Sequence, residues 1–550
     1  IRNLTEQLAN KNINTKEALD LNKKKALLEK KLFLSLPSTK PKLYSVKEIA
    51  KNLPKDSKLI EFQKYMPFRR EKYSGIGITI GKENNDTFIE ILSVFDKGPA
   101  RKMGLRKGEF IIEIDDINTK DIDLNKARSL IRGKKDQKLK LLVQKNNKKE
   151  YVYLKRDTNI INNEFGPERY LALILSKNGE INVVDLGESK VIDNEIKNAL
   201  FSSEKSLYDS QIIWDSISNK LINPLLKNIK DSKRLIISPD SEINRVAFSA
   251  LRSPKEKTKF LNEDFEINLI TTGREITKIK SLSKASNTSL VVANPNFNAD
   301  LNLNDFKKSG LNSFSHNRSN DCSNESWGKL PGTLKEGQII SEIIGANFVQ
   351  GKLATSNAIK KIKSPKILHI ATHSYYCEDN ETKKSSENYL NSPKTNNFSE
   401  SLILQEEIPL LKSGIVLAGA NNFNKDKNDD GYLTALEVTK LNWEGTELVV
   451  ISGCQSGLGT IQSGEGVYGL KRAISVAGAN SSLLSLWKVN DAGTAAFMES
   501  FYLNLKNGDS KSKALAKTQK EFRNHSIPGY RHPHVWAAFQ LSGDWRPIDF

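Results

Sequence analysis

The chain has 550 residues, of which 38% are hydrophobic and 27% charged, the balance of a globular protein with room for several cores. No apolar run reaches the roughly 18 residues a bilayer-spanning helix needs, which excludes an integral helical membrane protein. The net charge of +19 comes from lysines scattered beside Asn and Ile, with no basic block interleaved with aromatics, and so argues against a nucleic-acid partner. Cys322, Cys377 and Cys454 show neither metal-type spacing nor a disulfide framework, which fits a reducing, cytoplasmic setting. Any targeting signal would precede Ile1.

In chain order, residues 1–44 form a helical lead-in. Leu4, Leu8, Ala18, Leu21, Leu27, Leu28 and Leu32 recur at helical spacing, with a break near Asn12 to Asn14, as at the end of a helical repeat array. Beyond Pro37 and Pro41, residues 45–69 hold a short helix and a strand, SVKEIAKNLPKDSKLIEFQKY. The strand's expected partner is RYLALILSKNGEINVVDLG from Arg169, a hairpin with an Asn-Gly turn at Asn178. The intervening stretch is far longer than an ordinary connection, so residues 70–158 are read as an inserted domain.

Within the insert come SGIGITI from Ser74, a glycine turn and short helix from Gly98, a strand, a helix from Asp123, and KLKLLVQKNNKKEYVYLKR. This order resembles a PDZ domain, most closely that of carboxy-terminal processing peptidases. The resemblance implies a loop of Gly75, Ile76, Gly77 and Ile78 whose backbone N–H groups hold the terminal carboxylate of a peptide. It also implies that Ala127 and Ile131 of the helix face the groove. The serine-lysine core of those peptidases is not recognisable.

After Lys190 helix and strand alternate, which predicts an α/β sandwich with a mainly parallel sheet. Two polar stretches, 296–326 and 378–400, interrupt it as loops. Ile367 to Ala371 form an apolar strand that runs out to His373. Val449 to Ile451 form another, ending at Cys454, followed by the polar, flexible Gln455 to Gly459. A helix with Val467, Leu470, Ala473, Ile474 and Ala477 at its spacing, then the strand SSLLSLW, complete a βαβ unit. Ligands of such sheets bind at the carboxyl edge, and two strand ends bearing His and Cys bring together the groups a thiol needs to become a nucleophile.

Ordered blocks carry a second resemblance: RLIISPDSEINRVAFSAL, KLPGTLKEG, LHIATHS, SGIVLAGAN, DGYLTALEV, ELVVISGCQSGLG, GEGVYGLKRAISVAGA, SLWKVND and HPHVWAAFQLSGDW. They resemble CHAT-domain proteins, caspase-like and separase-like cysteine peptidases, over residues 45–69 and 159–550. The resemblance implies a caspase-like sandwich with a Cys454–His373 dyad and an oxyanion site built from the backbone N–H groups of Cys454 and Ser374. It places Asp491 at the pocket for the residue before the cut, where a carboxylate favours Arg or Lys. Asn490 or Asp491 also suits a helix cap. Gly453, Gln455 and Ser456 replace the family's usual Ala, Glu and Thr, and Ser374 its usual Gly.

Asp426, Asn428, Asp430 and Glu437, with Gly431, match the spacing of a calcium loop, while Thr434 and Glu437 equally form a capping box. Cys377 is the rival thiol, and His369 is read as a core residue. No cofactor beyond that calcium is implied. The expected activity is endopeptidase cleavage of protein substrates, with the insert holding partner C-termini. The alternative is a catalytically silent scaffold on the same fold.

Overall fold

The computed structural model describes residues 43–82, 87–146, 148–279, 285, 287–300, 326–377, 409–422, 429–453, 455–462, 466–489 and 491–550. The helical lead-in and most of the two expected loops lie outside them. The chain divides into two compact units, with breaks between Tyr65 and Met66 and between Glu168 and Arg169.

Helix α1 (Val46–Asn52) opens on a capping box between Ser45 and Glu48 and leads into β1 (Ser57–Tyr65). The smaller unit follows: β2 (Phe68–Gly75), β3 (Ile78–Gly81), β4 (Ile89–Val94), helix α2 (Pro99–Lys102), β5 (Phe110–Ile114), β6 (Ile117–Asn118), helix α3 (Leu124–Ile131), β7 (Lys138–Lys145), β8 (Lys148–Lys155) and β9 (Asp157–Phe165). Strands β2 and β9 form an antiparallel ribbon, and β3-β4-β5-β7-β8 an antiparallel sheet with β6 beside β5. Ile76, Ile89, Ile91, Leu105, Ile111, Leu141 and Val143 fill its core.

The larger unit resumes with β10 (Arg169–Ser176) and β11 (Ile181–Glu188), helices α4 (Ser189–Glu204) and α5 (Ser210–Leu221), β12 (Arg234–Ser238), β13 (Glu266–Leu269) and β14 (Leu290–Pro295). Helix α6 (Pro331–Ile344), β15 (Asn347–Gly351), β16 (Ile367–Ala371), β17 (Ser374–Tyr376), β18 (Ser413–Val416), β19 (Tyr432–Thr434) and β20 (Leu448–Ile451) come next. The hairpin β21 (Gly459–Gln462) and β22 (Gly466–Gly469), helix α7 (Leu470–Val476), β23 (Ser481–Ser485), helices α8 (Asp491–Lys506) and α9 (Lys511–Arg523), and β24 (Phe539–Gly543) complete it.

Eleven strands make one sheet in the order β11-β10-β1-β12-β13-β24-β23-β20-β16-β14-β15. Only β11–β10, β10–β1 and β24–β23 pair antiparallel. The expected partner of β1 is β10, in register from Lys58↔Ser176 to Tyr65↔Arg169. Strand residues alternate between two cores: Val291, Ile367, Val450 and Leu483 join Ile340 of α6 and Phe497 and Phe501 of α8. Val292, Leu368, Ile370, Val449, Ile451 and Leu484 join Leu470 and Ile474 of α7 and Trp443. Burial on both faces explains why these strands read as continuous apolar runs.

In the smaller unit, Arg156 is 3% exposed and donates to the last carbonyls of α3, Leu130 (2.6 Å) and Ile131 (3.0 Å), and to Lys138 (2.8 Å). A cation there answers both the orphan carbonyls and the negative end of the helix. Arg156→Met leaves these acceptors without their donor and should destabilise this unit by about 3 kcal/mol. Hydrogen exchange should show the loss over residues 124–145, with β16 and β20 unchanged; uniform loss in both units would contradict it.

Candidate active site

Strands β16 and β20 are parallel neighbours with Ile370 opposite Ile451, and Ser452 extends the pairing by donating to the Ile370 carbonyl at 3.1 Å. Both strands therefore end together at the carboxyl edge. His373 lies two residues past one end and position 454 three past the other. Cys454 itself lies outside the described residues, as does Asn490.

His373 is half-buried between Phe297 and Trp327, with ring centroids 5.2 Å and 5.1 Å away. Its Nε2 lies 2.9 Å from the Gly328 carbonyl. A carbonyl can only accept, so Nε2 carries the proton and, in the neutral ring, Nδ1 carries the lone pair. The Trp327 indole is itself fixed by donating to the Tyr432 hydroxyl at 2.9 Å. Ser374 is buried and opens β17 opposite Ile415.

The turn around position 454 is pinned to β23. Ser456 Oγ donates to the Ile451 carbonyl (3.0 Å) and accepts from Ser485 N–H (3.0 Å). Ser485 Oγ donates to the Gly453 carbonyl, and Gly457 N–H to the Ser485 carbonyl at 2.7 Å. Gln455 sits at φ 57°, a left-handed conformation costly for a residue with a Cβ and one that clusters at functional sites. Its side-chain amide donates to Glu204 at 3.1 Å.

A Cβ on Gly453 would stand 2.9 Å from Ser374 Oγ and 2.5 Å from the Thr372 carbonyl. Two of the sequence departures thus meet in space: the hydroxyl at 374 occupies room that a side chain at 453 would need. Gly453→Ala should cost about 1–3 kcal/mol by overpacking. Adding Ser374→Gly should recover about 1 kcal/mol of it, read from chemical unfolding; strict additivity would show that the two positions do not share the space.

Asp491, at the start of α8, turns its carboxylate to the first turn of α6 rather than its own, accepting from Gly332 N–H at 2.5 Å. An acidic group there meets the positive end of that helix. Burial holds its pKa above the usual range; the Gly332 bond lowers it, the Glu336 charge raises it and the nearby His373 lowers it. Beneath the edge, His369 is fully buried, with Nε2 3.0 Å from Glu336 and Nδ1 3.2 Å from the Tyr502 hydroxyl. The core role expected of His369 thus comes with a polar network, contributed by α6 and α8, that no local pattern announces.

Three expectations meet further contacts. Glu437 is spent in a capping box with Thr434 and an ion pair with Lys360 at 2.9 Å, so its carboxylate already faces a cation. Asp430 accepts from Tyr432 N–H at 3.0 Å, and burial, then the neighbouring Glu437, push its pKa up to about 7. Asp426 and Asn428 lie outside the described residues, among which no cluster suited to a metal occurs. Cys377 is disulfide-bonded, so it offers no free thiol as a rival nucleophile, which corrects the reading of cysteines without a disulfide. In the smaller unit Ala127 and Ile131 are 0% and 7% exposed and pack into its core; Ile78, Val94, Ile122, Leu124 and Leu130 are partly buried beside it. Gly77 takes φ 80°, and Ile76 and Gly77 accept from Ala100 and Phe95. Strand β3 lies at an edge of its sheet.

A mostly parallel sheet whose carboxyl edge gathers a histidine and a left-handed turn defines an α/β domain with its candidate site at that edge. The chain belongs to the CHAT domain family, which it matches over residues 212–544. Residues 90–145 match the PDZ domain. It is 28% identical over 228 residues to human Tetratricopeptide repeat protein 28, covering 40% of this chain and 8% of that one. It is 40% identical over 73 residues to the Carboxy-terminal processing protease CtpB of Bacillus subtilis (strain 168), covering 13% and 15%. The chain thus spans a small part of either relative. Among solved structures, the PDZ domain of a carboxy-terminal protease from Vibrio cholerae in complex with peptide is 29% identical, covering 16% of this chain and 96% of that one, with a TM-score of 0.15. The Saccharomyces cerevisiae separase–securin complex is 11% identical, covering 70% and 29%, with a TM-score of 0.42. Among the described residues no helix is long and apolar enough to cross a membrane.

Proposed function

We propose that this chain is a cysteine endopeptidase in which Cys454 attacks the scissile carbonyl and His373 handles the proton. The observation that supports it most is the register of β16 against β20, which ends both strands at one edge. Nδ1 of His373, basic because Nε2 donates to Gly328, takes the thiol proton and returns it to the departing amine. The backbone N–H groups of Ser374 and Cys454 receive the oxyanion, donors that need no particular side chain. Asp491, whose carboxyl feels the charge of His373, serves the pocket for an Arg or Lys before the cut.

In a reducing buffer, Cys454→Ala and His373→Ala should each lower peptide cleavage by at least about a hundredfold with an unchanged unfolding midpoint. Retained cleavage by the purified Cys454→Ala protein would sink the assignment and leave the silent scaffold as the reading.

The segment 70–158 is an inserted domain on this reading, binding the C-termini of substrates or partners. An extended peptide would add to the β3 edge, with its carboxylate at Gly75 to Ile78. Amidating the C-terminus of a bound peptide should weaken binding at least about tenfold, since the loop's donors would face a neutral group; calorimetry showing equal affinity would count against this mode.

A further inference from the structure

A cavity of about 650 Å³ opens at the carboxyl ends of β1 and β12, with His373 outside its lining. That volume is typical of small-molecule sites, and the carboxyl edge of a parallel sheet is where they form. Its charged lining comes from four elements: Glu61 on β1, Asp240 after β12, Arg274 and Glu275 in the turn Gly273–Thr277, and Lys471 and Arg472 on α7.

The carboxylates are already engaged. Glu61 accepts from Gly273 N–H (2.8 Å), Asp240 from the N–H groups of Lys64 (2.9 Å) and Ser241 (2.8 Å), and Glu275 from Thr271 N–H (3.1 Å). The ammonium of Lys471 is different: Nζ is buried with no hydrogen-bond acceptor among the described residues. An unmatched buried cation is expensive, and burial pushes its pKa down to about 8 against the pull of Glu275. Burial also holds the Glu275 carboxyl above its ordinary range.

Both walls of the cavity lead to the turn at position 454. Helix α7 begins directly after hairpin β21–β22, which leaves that turn. The turn Ser241–Arg245, entered through Asp240, ends on a guanidinium that donates to the Gly459 carbonyl of the same hairpin at 3.0 Å.

We propose that this cavity binds a small anionic ligand whose carboxylate or phosphate pairs with Lys471, and that its occupancy acts on the Gly453–Gln455 turn through the hairpin. The second part rests on the peptidase reading; the first does not.

The test uses the whole chain, with inorganic phosphate and citrate as probes against chloride at matched ionic strength. One or both anions should raise the unfolding temperature by a few degrees near pH 7. The rise should shrink near about pH 9, where Lys471 loses its proton, and vanish in Lys471→Met. A shift with phosphate alone assigns a phosphate-bearing ligand, and with citrate alone a carboxylate. No shift beyond chloride, or an equal shift in Lys471→Met, overturns the site. Should the variant fold poorly, calorimetric titration of the unaltered protein measures the binding directly, and absence of binding overturns the site. Cys454→Ala should bind the anion as the parent does, so binding stands or falls apart from catalysis. Peptide cleavage that is unchanged at saturating anion would overturn the coupling.

Discussion

Everything at the candidate site depends on one pairing constraint: in a parallel ladder, neighbouring strands with matched ends deliver their next residues to the same edge. Ile370 opposite Ile451 fixes that edge. Once the ladder stops, the chain must satisfy its backbone otherwise, and here it does so with side chains. Thr372 Oγ1 donates to the Val416 carbonyl at 2.7 Å, and Ser485 reaches across, its N–H donating to Ser456 Oγ and its hydroxyl to the Gly453 carbonyl. These short polar side chains do the work of a ladder where the chain must bend, and they hold Gln455 in a conformation it would not keep alone.

How much was legible follows from the range of each interaction. The strands ending before His373 and position 454 were legible because burial on both faces leaves a continuous apolar run, and the β1–β10 pair because alternation and an Asn-Gly turn are local signals. The partners that orient the site were not. Gly328 offers only a carbonyl, which any residue has, and Glu336 and Tyr502 reach His369 from helices 33 and 133 residues away in sequence. The resemblance set Ala127 and Ile131 at a groove, and a helical face does not by itself say whether it meets a groove or a core. Glu437 fits both a capping box and a calcium loop, and only the arrival of Lys360 from another helix separates the two.

The network of Glu336, His369 and Tyr502 has an energetic side. A carboxylate with one oxygen lacking a partner and 1% exposure is costly unless its hydrogen bond to His369 is strong. Because α6 and α8 each supply one member, the cost falls on any arrangement that shifts either helix against β16. The same two helices are also joined by Asp491 and Gly332, so the floor of the sheet edge is fixed by polar contacts within an apolar layer.

The break points of the smaller unit bear on how such a chain is assembled. Tyr65 and Arg169, the residues on either side of it, are opposite partners in the β1–β10 ladder, within about 5.5 Å of one another as any paired residues are. A two-residue turn would close that gap as well as a hundred-residue module does. The host sheet therefore imposes only a distance between ends, and a different module with adjacent termini meets the same requirement. Exchange of the module held between these two ends is thus topologically free at this position.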